Sequence, residues 1–355
     1  MAAASSGVHA GDDPGDRATP LSGTQLPRLS RLRMLVADKQ AEDVCAALKT
    51  TWANGQAPAR ILFRRPFARL DNHVRGPVSD RKLPPRAKRP PSTRLIYPRG
   101  VAQPLYLTMI FVAQCERRPG QTASTGRPMT DRNPTQHSSL PWSDLVMVPA
   151  GRRSGKSYHR VEENRVRQLE EALKLLASDE IRLVDLPHRG EARGMLRDFV
   201  PLVESGLLGR ASRPAYTVPT ADDEVFSVPA NFFLNGWHSA LTPSELAMLF
   251  ALWASSPHDA ASTSYVWLEG ETRIRRFGLS PAAYGTQAFL SDLDVLDVRV
   301  PNERRPDGTF VGKKNGDSPL LNSFMIREAG FDKPAVPLVM AALNARCGSV
   351  AAAPK

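Results

Sequence analysis

The segment Ala150-Gly151-Arg152-Arg153-Ser154-Gly155-Lys156-Ser157 carries the residue types of a phosphate-binding loop. In such a loop glycine amides cradle phosphates, a lysine neutralises them and a hydroxyl holds magnesium. The flanks fit in part. Apolar Leu145-Val146-Met147-Val148 precedes the loop, a helical pattern follows it, and Asp185 could stand as the magnesium-positioning acid. Two features oppose this reading. Ala150 replaces the first glycine beside the stiffening Pro149. A doubly wound nucleotide core also needs about five parallel strands, whereas 95–225 offers only enough strand-like pattern for a hairpin. An ATP-binding enzyme built on 150–157 is therefore the alternative, not the leading expectation.

The same loop has a second chemistry. If the helix beginning near Tyr158 enters the major groove of a DNA duplex, Arg152, Arg153, Lys156 and Ser157 fall on the phosphates. His159, Arg160 and Asn164 then project toward base edges, with Arg167 one turn further on. Arginine pairs naturally with guanine and asparagine with adenine, and base contacts specify where phosphate contacts only position. The plain alternative is a solvated helix face on which Glu162, Glu163 and Glu170 neutralise the arginines.

No other catalytic signature is present. The seven histidines are isolated, and no H-x-H, H-E-x-x-H or G-x-S-x-G occurs. Three cysteines lie far apart, without zinc-ligand or disulfide-framework spacing. No metal, cofactor or catalytic residue is expected, and the chain reads as non-enzymatic. Trp237, Trp253 and Trp267 read as core rather than as a base-stacking platform.

The elements that must position these residues follow from periodicity. In 158–177, Val166, Leu169, Leu173 and Leu176 form one apolar face at three- and four-residue steps. An apolar helix at 104–117 precedes it. Strand-like 181–186 follows, with 215–218 as its expected antiparallel partner. The order recurs between 226 and 330. Thr242-Pro243-Ser244-Glu245 is a capping box opening a helix through Trp253. A helix over 269–277 leads to Gly278-Leu279-Ser280-Pro281, a left-handed turn and the cap of a third helix over 281–293. Strands at 295–300 and 320–326 flank a basic loop.

Helix, glycine turn, helix and hairpin is the layout of a winged helix–turn–helix. On Phe277-Gly278-Leu279-Ser280-Pro281-Ala282-Ala283-Tyr284, and on Phe233-Leu234-Asn235-Gly236-Trp237 before the second unit, 95–330 resembles actinobacterial tandem winged-helix DNA-binding proteins of the plasmid replication or regulation type. The resemblance implies double-stranded DNA as partner, in replication initiation or transcription regulation of a plasmid or accessory element. It also implies a division of labour, one half for DNA and one for self-association, so that a homodimer on repeated sites is expected. In the second unit, Arg273, Arg275 and Arg276 on the second helix and Arg304, Arg305, Lys313 and Lys314 in the wing suit backbone contact. Only Thr286 and Gln287 on the third helix offer base-edge chemistry. A winged-helix protein-interaction module without DNA binding is the remaining alternative.

The expected fold class is thus mainly α with small β-hairpins (α+β), as two tandem winged helix–turn–helix domains at 95–218 and 226–330. A linker (219–225) joins them and a C-terminal tail (331–355) follows. The 1–94 region reads as largely disordered, with one helix over 26–49. Charge is concentrated across the end of that region and the start of the first domain: 60–118 holds fourteen Lys/Arg and three Asp/Glu, an excess equal to the +11 of the whole 355-residue chain. The proline-dense run 81–91 reads as an extended tether. A basic excess favours polyanionic partners. Without an apolar run of membrane-spanning length or a secretory leader, a cytoplasmic protein with no membrane contact is expected.

Overall fold

The computed structural model describes residues 25–71, 83–97, 100–130, 139–150, 161–191, 194–205, 214–256, 264–301 and 321–351. The chain is an α+β protein of helices and small antiparallel sheets.

The first departure from expectation lies in the described residues of 25–94 (25–71 and 83–94), which are built into the core rather than disordered. Helices α1 (Gln25–Ala37) and α2 (Gln40–Ala53) replace the single helix expected over 26–49, because Lys39 adopts a left-handed conformation and turns the chain. Leu29, Leu32 and Leu35 of α1 are buried. Strand β1 (Arg60–Arg64) pairs antiparallel with β4 (Val225–Pro229), setting Leu62 opposite Ser227 and Phe63 opposite Phe226. Ile61 and Phe63 alternate inward, and the Phe63 ring stacks on Phe226 with centroids 5.6 Å apart. The expected tether is also partly folded. A 3-10 turn at Arg86–Lys88 leads into α3 (Pro91–Arg94), whose four residues are all buried.

Helix α4 (Ala102–Glu116) is buried from Ala102 to Cys115, as expected of a helix apolar all round. Helix α5 (Trp142–Leu145) and α6 (Val161–Leu176) follow, and Leu169, Leu173 and Leu176 of α6 face inward as the periodicity requires. Strand β2 (Val184–Asp185) pairs with β3 (Val200–Pro201), not with 215–218 as expected. The 215–218 segment instead bridges outward, Ala215 to Leu202 and Thr217 to Thr122. A longer insertion separates β2 from that segment than a simple hairpin allows, so β3 fills the intervening position.

Short helices α7 (Asn231–Leu234) and α8 (Trp237–Ala240) lead into α9 (Pro243–Ser255). The capping box holds: Thr242 Oγ1 accepts from the Glu245 amide at 3.3 Å, and Glu245 Oε2 accepts from the Thr242 amide at 2.8 Å. Arg28 of α1 donates to both Glu245 carboxylate oxygens at 2.7 and 2.9 Å, tying the amino-terminal helix to this cap. Then come β5 (Val266–Trp267), α10 (Gly270–Arg275), α11 (Pro281–Tyr284), α12 (Gln287–Asp292), β6 (Leu296–Arg299) and β7 (Ser323–Ile326). The expected 281–293 helix is thus two pieces. The antiparallel sheet has the order β5-β7-β6. The expected carboxyl-terminal tail is also structured: α13 (Ala335–Ala351) packs on α1 and α8 and buries Val339 and Leu343.

One cluster of buried side chains runs from Leu29 to Leu343 and includes β1, α4, α9 and β7 residues. The boundary expected at 94/95 therefore falls inside a continuous core.

Candidate nucleic-acid interface

In the 243–326 segment, α10 and α11 are joined by a turn whose geometry follows from its residues. Gly278 sits at φ 63°, where a Cβ would lie 2.8 Å from Thr93 Oγ1 and 3.0 Å from Arg89 Cβ. Glycine is required both by the left-handed backbone and by this close approach. Ser280 Oγ accepts from the Ala283 amide at 3.0 Å and caps α11.

The cations of α10 are engaged in different ways. The Arg273 guanidinium lies 4.4 Å from the Tyr284 ring centroid, which ties α10 to α11. Arg275 pairs with Glu271 at 2.9 Å within the helix. Arg276 follows at the helix end, and its carbonyl accepts from the Leu70 amide at 2.9 Å, so the 65–70 segment lies against it. Neither expected base-reading residue is well presented. The Thr286 hydroxyl donates to Ala283 O at 2.6 Å, and the Gln287 side-chain carbonyl oxygen is buried. The outward positions of α11 and α12 are Pro281, Ala282, Gly285, Ala288, Ser291 and Asp292, none of them a cation. Arg304, Arg305, Lys313 and Lys314 lie outside the described residues.

In the first half, Arg152, Arg153, Lys156, Ser157, His159 and Arg160 also lie outside the described residues. Asn164, expected to point toward bases, is buried instead. It lies beside the inward stripe of α6, close enough to be covered. Arg167 is exposed opposite that stripe, among Glu163, Glu170 and Lys174. Arg165 pairs with Asp38 at 3.1 Å, fixing α6 to the turn between α1 and α2. Val146–Ala150, which would be the strand of a nucleotide-binding loop, is not in a sheet, and every strand pairing among the described residues is antiparallel.

The fold assembles residues that sequence reasoning missed. Arg64, at the end of β1, donates to Glu204 at 3.1 Å and to Asp223 at 2.7 Å. The Arg64 amide also donates to Glu204 at 2.8 Å. Burial opposes the Arg64 charge, but Asp223 and Glu204 more than offset this and hold its pKa above the ordinary arginine value. The Asp223 carboxyl is correspondingly held down, first by its hydrogen bond from Arg64. Asp223, expected in the 219–225 linker, is the partly exposed edge of this junction, in which Glu204 is fully buried.

The next arginines behave oppositely. Burial, then Arg276 and Arg65, push the Arg69 pKa below the ordinary value. Burial and Arg86 do the same to Arg89. Arg94 is lowered to about 10 by burial, with Arg182 and Arg86 adding to it. The charge density of 60–118 is the only sequence signal for this grouping, and it carries no information about which cations meet.

Trp237 and Trp253 are buried, but Trp267 is 66% exposed on β5, contrary to its expected core role. In the outer face of the same sheet, Tyr265 donates to Asp297 at 2.6 Å, and the Arg299 guanidinium lies 3.6 Å from the Tyr265 centroid. Among the described residues no group of three His, Cys, Asp or Glu side chains could hold a metal ion, and no helix is long and apolar enough to cross a membrane.

Comparison with known proteins returns no matching family, no matching curated protein and no matching solved structure.

Proposed function

We propose that this chain binds double-stranded DNA through two winged-helix units, in replication initiation or transcriptional control. The observation that carries the reading is the path of 243–326. A helix (α9), a short strand (β5), a helix (α10), a glycine turn, a capped helix (α11 and α12) and two strands (β6, β7) follow in order, with the sheet ordered β5-β7-β6. That is the layout in which the helix after the turn enters a groove and the β6–β7 loop forms the wing. The 102–201 segment has a similar order of elements, α4, α5, α6, then β2 and β3, although Thr122 bridges Thr217 rather than either of these strands.

The test is titration of labelled duplex DNA followed by anisotropy at several salt concentrations. Affinity should fall with salt by roughly 0.9 log units per log unit for each phosphate contact. Arg160→Ala should relax sequence preference, while Lys156→Ala should weaken all duplexes alike. Absence of binding even at low salt overturns the reading.

A specific observation also favours self-association by the second unit. Its α11–α12 face carries no cation, and Trp267 and Val300 are exposed on its sheet. Sedimentation of the protein with and without Trp267→Ser tests this; a concentration-dependent dimer lost in the variant is the expected result.

A further inference from the structure

We propose that Arg65 and Arg69, with Arg276, form a phosphate-binding seam, by which the amino-terminal segment joins the DNA interface; this rests on the DNA-binding reading above. The three residues come from two distant parts of the chain. Arg65 and Arg69 lie one turn apart, with the Arg69 amide donating to Arg65 O at 2.9 Å. The neighbouring Leu70 amide bonds to Arg276 O at 2.9 Å, which brings that turn against the end of α10. Arg89 packs on Gly278, two residues beyond Arg276, and extends the basic surface along the same turn.

Like charges placed this closely repel, and partial burial makes water a poorer screen. Arg64 on the adjacent position shows how this chain satisfies a cation internally, with two carboxylates at hydrogen-bond distance. Among the described residues, no such arrangement is found for Arg65 or Arg69. Their Nε atoms are buried and meet no acceptor among the described residues. The nearby carboxylates are Asp71 and Glu224, both exposed, where solvent weakens their effect. All three arginines of the seam remain partly exposed, so an anion can reach them. Guanidinium forks match the paired oxygens of a phosphate, and a row of cations matches the regular charge spacing of a duplex backbone.

The test compares the full chain with Arg65→Gln/Arg69→Gln, and with Arg117→Gln/Arg118→Gln as an equal charge change at exposed positions elsewhere. Binding of unrelated duplexes is measured against salt. Loss of two phosphate contacts should lower the log–log slope by about 1.8 and the affinity roughly 60-fold at 0.1 M salt, equally for every sequence. The control pair should leave the slope unchanged, and Arg65→Lys/Arg69→Lys should keep most of it. Removing mutual repulsion should leave the urea midpoint of the glutamine variant equal or higher, which separates lost binding from lost folding. If the full chain binds duplexes and the glutamine variant shows the same slope, the seam is overturned while the DNA reading stands. If the full chain binds no duplex, the DNA reading fails. The seam is then judged by tripolyphosphate, which should raise the thermal midpoint of the full chain and not of the glutamine variant; no rise overturns it.

Discussion

His238 gives this fold a measurable acid sensitivity. The ring is fully buried between Phe232 and Phe233, with its centroid 5.2 Å from that of Phe233. Its Nε2 lies 3.2 Å from Thr108 Oγ1. Thr108 gives its hydroxyl hydrogen to Pro104 O at 2.9 Å, so the neutral ring donates from Nε2 to Thr108. Burial lowers the His238 pKa to about 4, and the Phe232 backbone beside the ring, which favours the protonated form, offsets only part of this. An unfolded histidine titrates near 6.5, so the unfolded chain takes up the proton first as pH falls. The stabilisation is complete above about pH 6.5 and is lost between there and pH 4. The gap of about 2.5 pH units corresponds to about 3 kcal/mol. Urea unfolding at pH 7.5, 6.0, 5.0 and 4.5, for the native chain and for His238→Gln, isolates the effect, because carboxylate contributions cancel in the difference. The native chain should lose about 2.5 kcal/mol more than the variant over this range. Parallel pH curves would refute the reasoning.

Breaking the buried polar junction should be costly. Arg64→Met leaves the fully buried Glu204 without its cation and should destabilise by about 3–5 kcal/mol in urea unfolding, while Arg64→Met with Glu204→Leu should recover a large part. A single variant no less stable than the double one would contradict the assignment. The tryptophans should separate by burial. Trp237→Ala removes a fully buried ring and should cost about 3–5 kcal/mol, whereas Trp267→Ala should change monomer stability by less than about 0.5 kcal/mol. Equal losses by calorimetry would show that Trp267 is covered.

What the sequence by itself determined was local. The Thr242–Glu245 capping box, the Gly278 turn, the Ser280 cap, the inward stripe of α6 and the β6–β7 strands depend on residues three or four apart or on strict alternation, so they are readable without knowing the fold. The tertiary structure decided everything that depended on distant partners. Strand β1 is five residues with arginine at each end, too short for a clear period, and it becomes a strand because β4, far along the chain, supplies its hydrogen bonds. The basic excess of 60–118 was visible as a sum. Only folding separated Arg64, which two carboxylates satisfy, from Arg69, which lies near Arg65 and Arg276 instead. Asn164 and Trp267 exchanged their expected environments for the same reason: helical or strand spacing states which residues share a face, but packing decides which face is covered.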